Sequence, residues 1–332
     1  MMSANPLAAT RAVGPVTILP ATVGDASAIL QLVSAVGLPR EGIEDTLDYF
    51  WVARERERER DTIIGSVGLE VYKDQALLRS LAVTPERHHT GLGSAMVATA
   101  LSYLTSRQFR AVYLLTTTAA SFFRRYDFRH VSRADVPASV QQSVEFRSAC
   151  PDTATCMART FTYAPTPPNP ARVVRPARFA DLAVIQEIHN QGIVDRVATL
   201  DTEPHTAQET QLWFRQHGPR RPVIVVEIDG VVAGWAALNT FNVRRVYQYV
   251  ADLSVYIERQ WRSKGLGTML LQALMPLGRA LGYHKIVLSA FPLNAPGMQL
   301  YQRQGFTTVG IYKEMGWVDG HWVDTIIMEK LL

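Results

Sequence analysis

Cysteine is almost absent from this chain. Of 332 residues only Cys150 and Cys156 carry thiols. That excludes a disulfide scaffold. Two thiols six positions apart also fall short of the four ligands a structural zinc site uses, so no metal is expected. No apolar run reaches the roughly 18 residues of a membrane span. The opening Met1-Met-Ser-Ala-Asn-Pro6 leads into no apolar core of signal-peptide length. A reducing, cytoplasmic location is the expectation that follows, with no membrane partner. Charge of one sign is scarce too: Lys and Arg number 34 against 30 Asp and Glu, a formal net charge of +4. Such mild basicity suits an anionic cofactor or substrate. No block of Lys and Arg stands alone, so nucleic acid is not expected as a partner. The densest charge run, Arg54 to Asp61, alternates in sign and reads as a solvated hairpin tip.

What is present is an ordinary globular balance, 47% hydrophobic and 19% charged. The length fits two domains. Tyr163-Ala-Pro-Thr-Pro-Pro-Asn-Pro170 can feed neither a helix nor a central strand, and it divides the chain near its middle. The expected organisation is an arm at 1–14, a domain at 15–162, a linker at 163–171 and a second domain at 172–332. The two halves repeat each other in order. Thr17-Ile-Leu-Pro-Ala-Thr22 and Val173-Val-Arg-Pro-Ala-Arg178 each read as a strand before an amphipathic helix. A hairpin follows in each half; Asp229-Gly230 marks the second. Next come a strand, a glycine turn and a 3.6-period helix with Val97, Ala100, Leu101 and Leu104, or with Leu270, Leu274, Leu277 and Leu281. Pro276 inside the latter is expected to bend it. Each half then has a strand and a short helix running to Phe128 or Phe306. Gly91 and Gly265 lie 174 positions apart, and the two phenylalanines 178. The halves are expected to be duplicated α/β domains.

A glycine turn between strand and helix aims backbone N–H groups and the helix dipole at one point, which makes an anion site. It is not a Walker loop, because Lys264 precedes Gly265 rather than following it. It is not a dinucleotide fingerprint, because Leu270 and Met96 stand where a third glycine is needed. What remains is (Gln/Arg)-x-x-Gly-x-(Gly/Ala), fitted by Arg262-Ser263-Lys264-Gly265-Leu266-Gly267.

In this turn, and in the order of elements around it, the sequence resembles the GCN5-related N-acetyltransferases (GNATs) over both halves. The resemblance implies two tandem domains of α/β class, each a mixed, mostly antiparallel sheet flanked by helices. It implies acetyl-CoA as cosubstrate, held through its pyrophosphate by the turn and through its pantetheine arm by the preceding strand. The second half is similar to phosphinothricin and arsinothricin N-acetyltransferases, with methionine-sulfone acetyltransferases nearby, through Leu200-Asp-Thr-Glu-Pro204, Val250-Ala-Asp-Leu-Ser-Val-Tyr256, Asn294-Ala295, Tyr301 and Gly320-His-Trp-Val-Asp324. The first half resembles an arsenic-resistance-associated branch through Val67-Gly-Leu-Glu70, Leu77-Leu-Arg-Ser-Leu-Ala-Val83 and Leu114-Leu-Thr-Thr-Thr118.

Carried over residue by residue, the resemblance gives Asp252 as the base that takes the amine's proton, working through water, since Asp is shorter than the family's Glu. The alternative is a hydrogen-bonded strand-end Asp. Tyr301 would protonate the leaving thiolate, or else is a core tyrosine. CoA would contact Val255, Tyr256, Ile257, Arg262, Ser263, Lys264, Gly265, Leu266, Gly267, Thr268 and Asn294; Asn294 also reads as a plain helix cap. In the first half the matching positions are Val83, His88, His89, Thr90, Gly91, Gly93 and Ser94. An anionic amino-acid substrate calls for Arg, whose fork grips carboxylates and phosphinates. Arg244 and Arg245 answer, with Phe241 and Tyr247 beside them; Asn242 replaces one Arg of the family's usual pair. In the first half Asp252, Tyr301 and Asn294 fall on Leu78, Phe123 and Thr116, so that half is expected to be weak or to act on another substrate. Glu70 is an alternative base there, or a solvated hairpin residue. Cys150 and Cys156 are ordinary buried thiols or a soft arsenic site. Single-domain relatives often dimerise, so an intramolecular domain pairing or a homodimer is the expectation for assembly.

Overall fold

A computed structural model of the chain describes residues 12–13, 16–57, 60–163, 172–196 and 198–332. Nearly all of the expected arm and of the linker, and the hairpin tip at 58–59, lie outside the described residues. Two compact units emerge, Met1–Pro165 and Thr166–Leu332. Each is built on its own sheet, with α-helices against it.

The first unit runs β1 (Ala12–Val13), β2 (Val16–Pro20), α1 (Ala26–Ala35), α2 (Ile43–Thr46), β3 (Phe50–Glu57), β4 (Arg60–Tyr72), β5 (Gln75–Val83), α3 (Leu92–Ser106), β6 (Ala111–Thr116), α4 (Ala120–Arg124), β7 (Arg129–His130), α5 (Ala138–Gln141) and β8 (Thr155–Thr160). Its sheet order is β1-β2-β3-β4-β5-β6-β8-β7. The second runs β9 (Val173–Pro176), α6 (Leu182–Val194), α7 (Ala207–Arg215), β10 (Val223–Ile228), β11 (Val231–Thr240), β12 (Val250–Ile257), α8 (Leu266–Ala280), β13 (Lys285–Ala290), α9 (Ala295–Arg303), β14 (Thr307–Val318) and β15 (His321–Leu331). Its order is β14-β15-β13-β12-β11-β10-β9.

Sequence pattern explains the elements. Ile29, Leu32 and Val33 of α1, and Ile185 and Ile188 of α6, are buried at helical spacing against their sheets. Leu270, Leu274 and Leu277 do the same for α8, each adding about 2 kcal/mol of burial. That helix continues through Pro276 to Ala280. Asp229 (φ 50°) and Gly230 (φ 82°) form the tight turn between β10 and β11.

One detail of pairing opens each unit. The parallel contact covers only Val250–Asp252 against Lys285–Val287, and Gln75–Leu77 against Ala111–Tyr113. Beyond those residues the central strands part, leaving a wedge whose floor is the last pair. The two wedges differ in register. Between Ser66↔Ala82 and Gly68↔Arg79 the ladder gives β5 one extra residue, a bulge at which Ser80 takes φ 51°. On β12 the pairing with β11 is unbroken from Ala251 to Ile257. Measured from the floor of the wedge, the position opposite Asp252 is therefore Leu77, not Leu78 as plain sequence spacing puts it. Neither is a carboxylate.

Candidate active site

The glycine turn of the second unit sits at the start of α8. Gly265 takes φ 85° and Ser263 φ 59°. In the first unit Gly91 takes φ 86° and His89 φ 62°. The two turns thus share a backbone in spite of sharing few side chains. Their first residues do the same job as well. Arg262 donates from Nε to the Ile257 carbonyl at 3.2 Å, and the His88 Nε2 lies 3.0 Å from the Val83 carbonyl. Each ties the turn to the end of its strand. Arg262 is further held by Asp195 at 2.5 Å, which also pairs with Arg259 at 2.6 Å.

The turn forms one wall of a cleft of about 620 Å³. Val255, Tyr256 and Ile257 come from β12; Arg262, Ser263, Gly265, Leu266, Gly267 and Thr268 come from the turn and α8; Asn294 and Tyr301 come from the α9 side. Lys264 is not in the lining; its ammonium lies 4.6 Å from the centre of the Trp261 ring. Asn294 caps α9, its Oδ1 accepting from Gly297 N at 3.0 Å, while also facing the cleft. Thr116, at the matching position of the first unit, accepts from Ala119 N at 2.9 Å but does not cap α4, whose N-cap is Ala119.

Asp252 stands on the floor of the wedge. Burial pushes its carboxyl up to about 6, against the opposing pull of the Asn239 amide and a backbone N–H. Burial and then the Asp252 charge push the Tyr301 phenol up to about 12, so it keeps its proton at neutral pH. A polar chain behind Asp252 was not legible in the sequence. His217 contacts the Trp213 carbonyl through Nδ1 (2.7 Å) and the Asn239 Oδ1 through Nε2 (2.9 Å). Asn239 in turn donates to Asp252 (3.3 Å) and to Ser254 (2.9 Å). His217 and Asn239, 22 positions apart, show no motif, and Asn239 meets Asp252 only through the β11–β12 register.

The expected substrate residues are on the 241–249 loop, which leaves β11 just after Asn239. Phe241 and Tyr247 meet edge to face at 5.5 Å. Arg244 and Arg245 are exposed and, among the described residues, have no ion-pair partner. They do not line the cleft of the turn. Trp235 is core, stacked on Tyr256 at 4.8 Å.

The first unit has its own cleft, of about 640 Å³, lined by Leu78 to Val83, His88, Thr116 to Ala119, Phe123, Glu145 and Cys150. His89, Thr90, Gly91, Gly93 and Ser94 are not in that lining. Glu70 is neither solvated nor free. It is buried in an ion pair with Arg79, which also holds Glu145 at 3.2 Å, and it accepts from the Tyr72 hydroxyl at 2.6 Å. Burial pushes the Cys150 thiol up to about 11 and raises Cys156 as well, so both keep their protons at neutral pH.

Parted parallel strands beside a glycine turn that opens a helix make a cleft suited to a phosphate-bearing ligand. The comparisons agree. The family model described as "Acetyltransferase (GNAT) family" matches residues 185–306, and the one described as "Acetyltransferase (GNAT) domain" matches 46–130. YwnH of Bacillus subtilis, provisionally called a phosphinothricin acetyltransferase, is 34% identical over 48% of this chain and 98% of its own length. The phosphinothricin N-acetyltransferase of Streptomyces viridochromogenes is 31% identical over 46% of this chain and 82% of its own. An L-methionine sulfoximine/L-methionine sulfone acetyltransferase of Pseudomonas paraeruginosa is 32% identical over 47% and 92%. The chain belongs to the GNAT acetyltransferases and contains two of their domains. It is an acetyltransferase, and acetyl-CoA is its cosubstrate. Among the described residues no helix is long and apolar enough to cross a membrane.

Proposed function

We propose that the second unit N-acetylates the amino group of a small anionic amino acid, a glutamate analogue of the phosphinothricin or arsinothricin kind, and so removes its toxicity. The supporting observation is a carboxyl held near neutrality at the floor of the wedge, with a protonated phenol on the facing helix. Acetyl transfer needs a neutral amine, whose lone pair attacks the thioester carbon. Asp252, through water, takes the ammonium proton; the N–C bond forms, the tetrahedral centre collapses, the C–S bond breaks, Tyr301 gives its proton to the departing thiolate, and the nitrogen's surplus proton passes through water to restore the phenol. The cleft residues from Val255 to Thr268, with Asn294, hold acetyl-CoA in this reading, the turn's N–H groups taking the pyrophosphate. Arg262 serves chiefly to fix the turn. Arg244, exposed and without an ion-pair partner among the described residues, takes the substrate's second anion as the loop folds over it.

A methionine sulfoximine acceptor is the second reading, favoured by the relative from Pseudomonas paraeruginosa. It carries one anionic group fewer. CoA release from the full chain, measured over a panel of arsinothricin, phosphinothricin and methionine sulfoximine, separates the two. Under the first reading Arg244→Ala lowers kcat/KM for the glutamate analogues at least tenfold more than for methionine sulfoximine. Equal loss on all substrates overturns the role of Arg244. The first unit, with Leu77 and Leu78 on the strand and Phe123 at the tyrosine position, holds CoA without this acid–base pair. An arsenic-binding role for it has little support from two protonated thiols.

A further inference from the structure

The segment after α6 returns to that helix and sets three ligand-type side chains face to face. His189 lies on α6; Asp201 and His205 lie between α6 and α7. One atom from each falls within 4.8 Å of the others. Asp201 Oδ2 is 3.7 Å from His189 Nε2 and 3.5 Å from His205 Nε2. Those separations are too long for hydrogen bonds. They are close to the edge, about 3.4 Å, of a tetrahedron of ligands each about 2.1 Å from a central ion.

The 199–205 segment is held against α6 by its own hydrogen bonds. The His205 amide N donates to Asn190 Oδ1 at 2.8 Å, and its carbonyl accepts from Gln186 Nε2 (2.7 Å) and Asn190 Nδ2 (3.0 Å). Thr199 Oγ1 donates to Asp201 Oδ2 at 2.9 Å, an orienting contact of the kind found behind metal ligands. The His189 ring packs edge to face on Tyr256 at 4.8 Å and lies 4.5 Å from the His205 ring.

We propose that His189, Asp201 and His205 form a binding site for a divalent transition-metal ion of the zinc type, with a fourth position open. Two imidazoles and a carboxylate favour such an ion over calcium or magnesium, which prefer oxygen alone. Access is direct, since the Asp201 and His205 side chains are 47% and 36% exposed. The ion would fasten the 199–205 segment to α6, one residue position of which, Gly192, lines the acetyl-CoA cleft. The site does not depend on which acceptor the enzyme uses.

The test uses the full chain, free of any histidine tag and stripped by a chelator. Zinc is titrated calorimetrically, and Co2+ is followed by its visible absorption. One saturable micromolar or tighter site per chain is expected, with the absorption of four-coordinate Co2+. Asp201→Asn and His205→Ala, both at exposed positions, should each weaken zinc at least tenfold. A His88→Ala/His89→Ala variant, altered in the other adjacent pair of histidines, should bind as the wild type does. Absence of saturable binding, equal binding by Asp201→Asn and His205→Ala, or equal loss in all three variants would overturn the site.

Discussion

A carboxyl lifted to about 6 by burial carries its own signature in both rate and stability. As the base, Asp252 must be ionised, so kcat/KM should rise through an apparent value near 6 and level off above it. Asp252→Asn should remove that limb and lower kcat/KM by about 10²–10³. The stability effect has the opposite sign. For an acid whose folded value is raised, the folded state favours the protonated form; that contribution is full below the ordinary value near 3.8 and is lost as pH climbs through 6. Above pH 7 the ionised Asp252 therefore costs up to about 3 kcal/mol. Asp252→Asn should raise Tm at pH 8 and much less at pH 4, as thermal scans would show. Asn239 pulls the Asp252 carboxyl down. Asn239→Leu should move the rate limb to higher pH without abolishing it; an unmoved limb would remove Asn239 from the mechanism. At this scale the family resemblance, carried over residue by residue, is what pointed to Asp252 and Tyr301. It did not reach Asn239, which the pairing of β11 with β12 brings to the carboxylate, or His217, which bonds to Asn239 from outside that pairing.

Elements tell more about the cofactor than any single side chain does. The turn works through its backbone, so its sensitive positions are those where a Cβ changes the backbone or fills the cleft. Gly265 has open space around its missing Cβ, but its φ of 85° disfavours any other residue by about 1–2 kcal/mol. Gly267 has the reverse character: a Cβ there would meet Leu300 Cδ2 at 2.7 Å, and both residues line the cleft. Gly267→Val should raise KM for acetyl-CoA at least tenfold with little change in kcat, since it obstructs binding rather than chemistry. Ser263→Gly relieves a positive φ of 59° and should leave KM unchanged. Steady-state kinetics on the two variants separates a backbone cradle from a side-chain one. The turn and its helix were legible because glycine spacing and a 3.6-residue period mark them plainly. The bulge at Ser80 was not: an extra residue on a continuous apolar strand, Leu77 to Val83, leaves no mark on the pattern, and only the ladder shows it. For the same reason the end of the first unit escaped the sequence. There a two-residue β7, a detour through α5 and a π-helical turn at Glu145–Ala149 stand where the second unit has the twelve-residue β14.

At the scale of the whole chain the duplication is retained in the backbone and divided in the side chains. Both units keep the parted strands, the turn with its two positive-φ residues, the tie from turn to strand and, before the next helix, a side-chain oxygen that accepts from the N–H three residues on. Only the second keeps the carboxyl and the phenol. In the proposed reading cofactor binding rests mostly on the first set of features, and proton transfer rests on the second. The two functions should therefore separate within one molecule. Calorimetry of the full chain with acetyl-CoA should show two binding events. Gly267→Val should reduce them to one. Gly93, which corresponds to Gly267, has more room, its missing Cβ lying 3.8 Å from Phe122 and Val83. The mark for the first unit is therefore Gly91→Val, which strains φ 86° rather than filling space. Asp252→Asn/Tyr301→Phe should leave both binding events intact and remove nearly all acetyl transfer to the amino-acid panel. Substantial turnover by that double variant would show that the first unit has found another base, and Glu145 would be the residue to test next: it lines that cleft, and burial pushes it up to about 7. A single binding event in the wild type would instead mean that the first turn, for all its shared backbone, no longer holds pyrophosphate without an arginine where His88 stands.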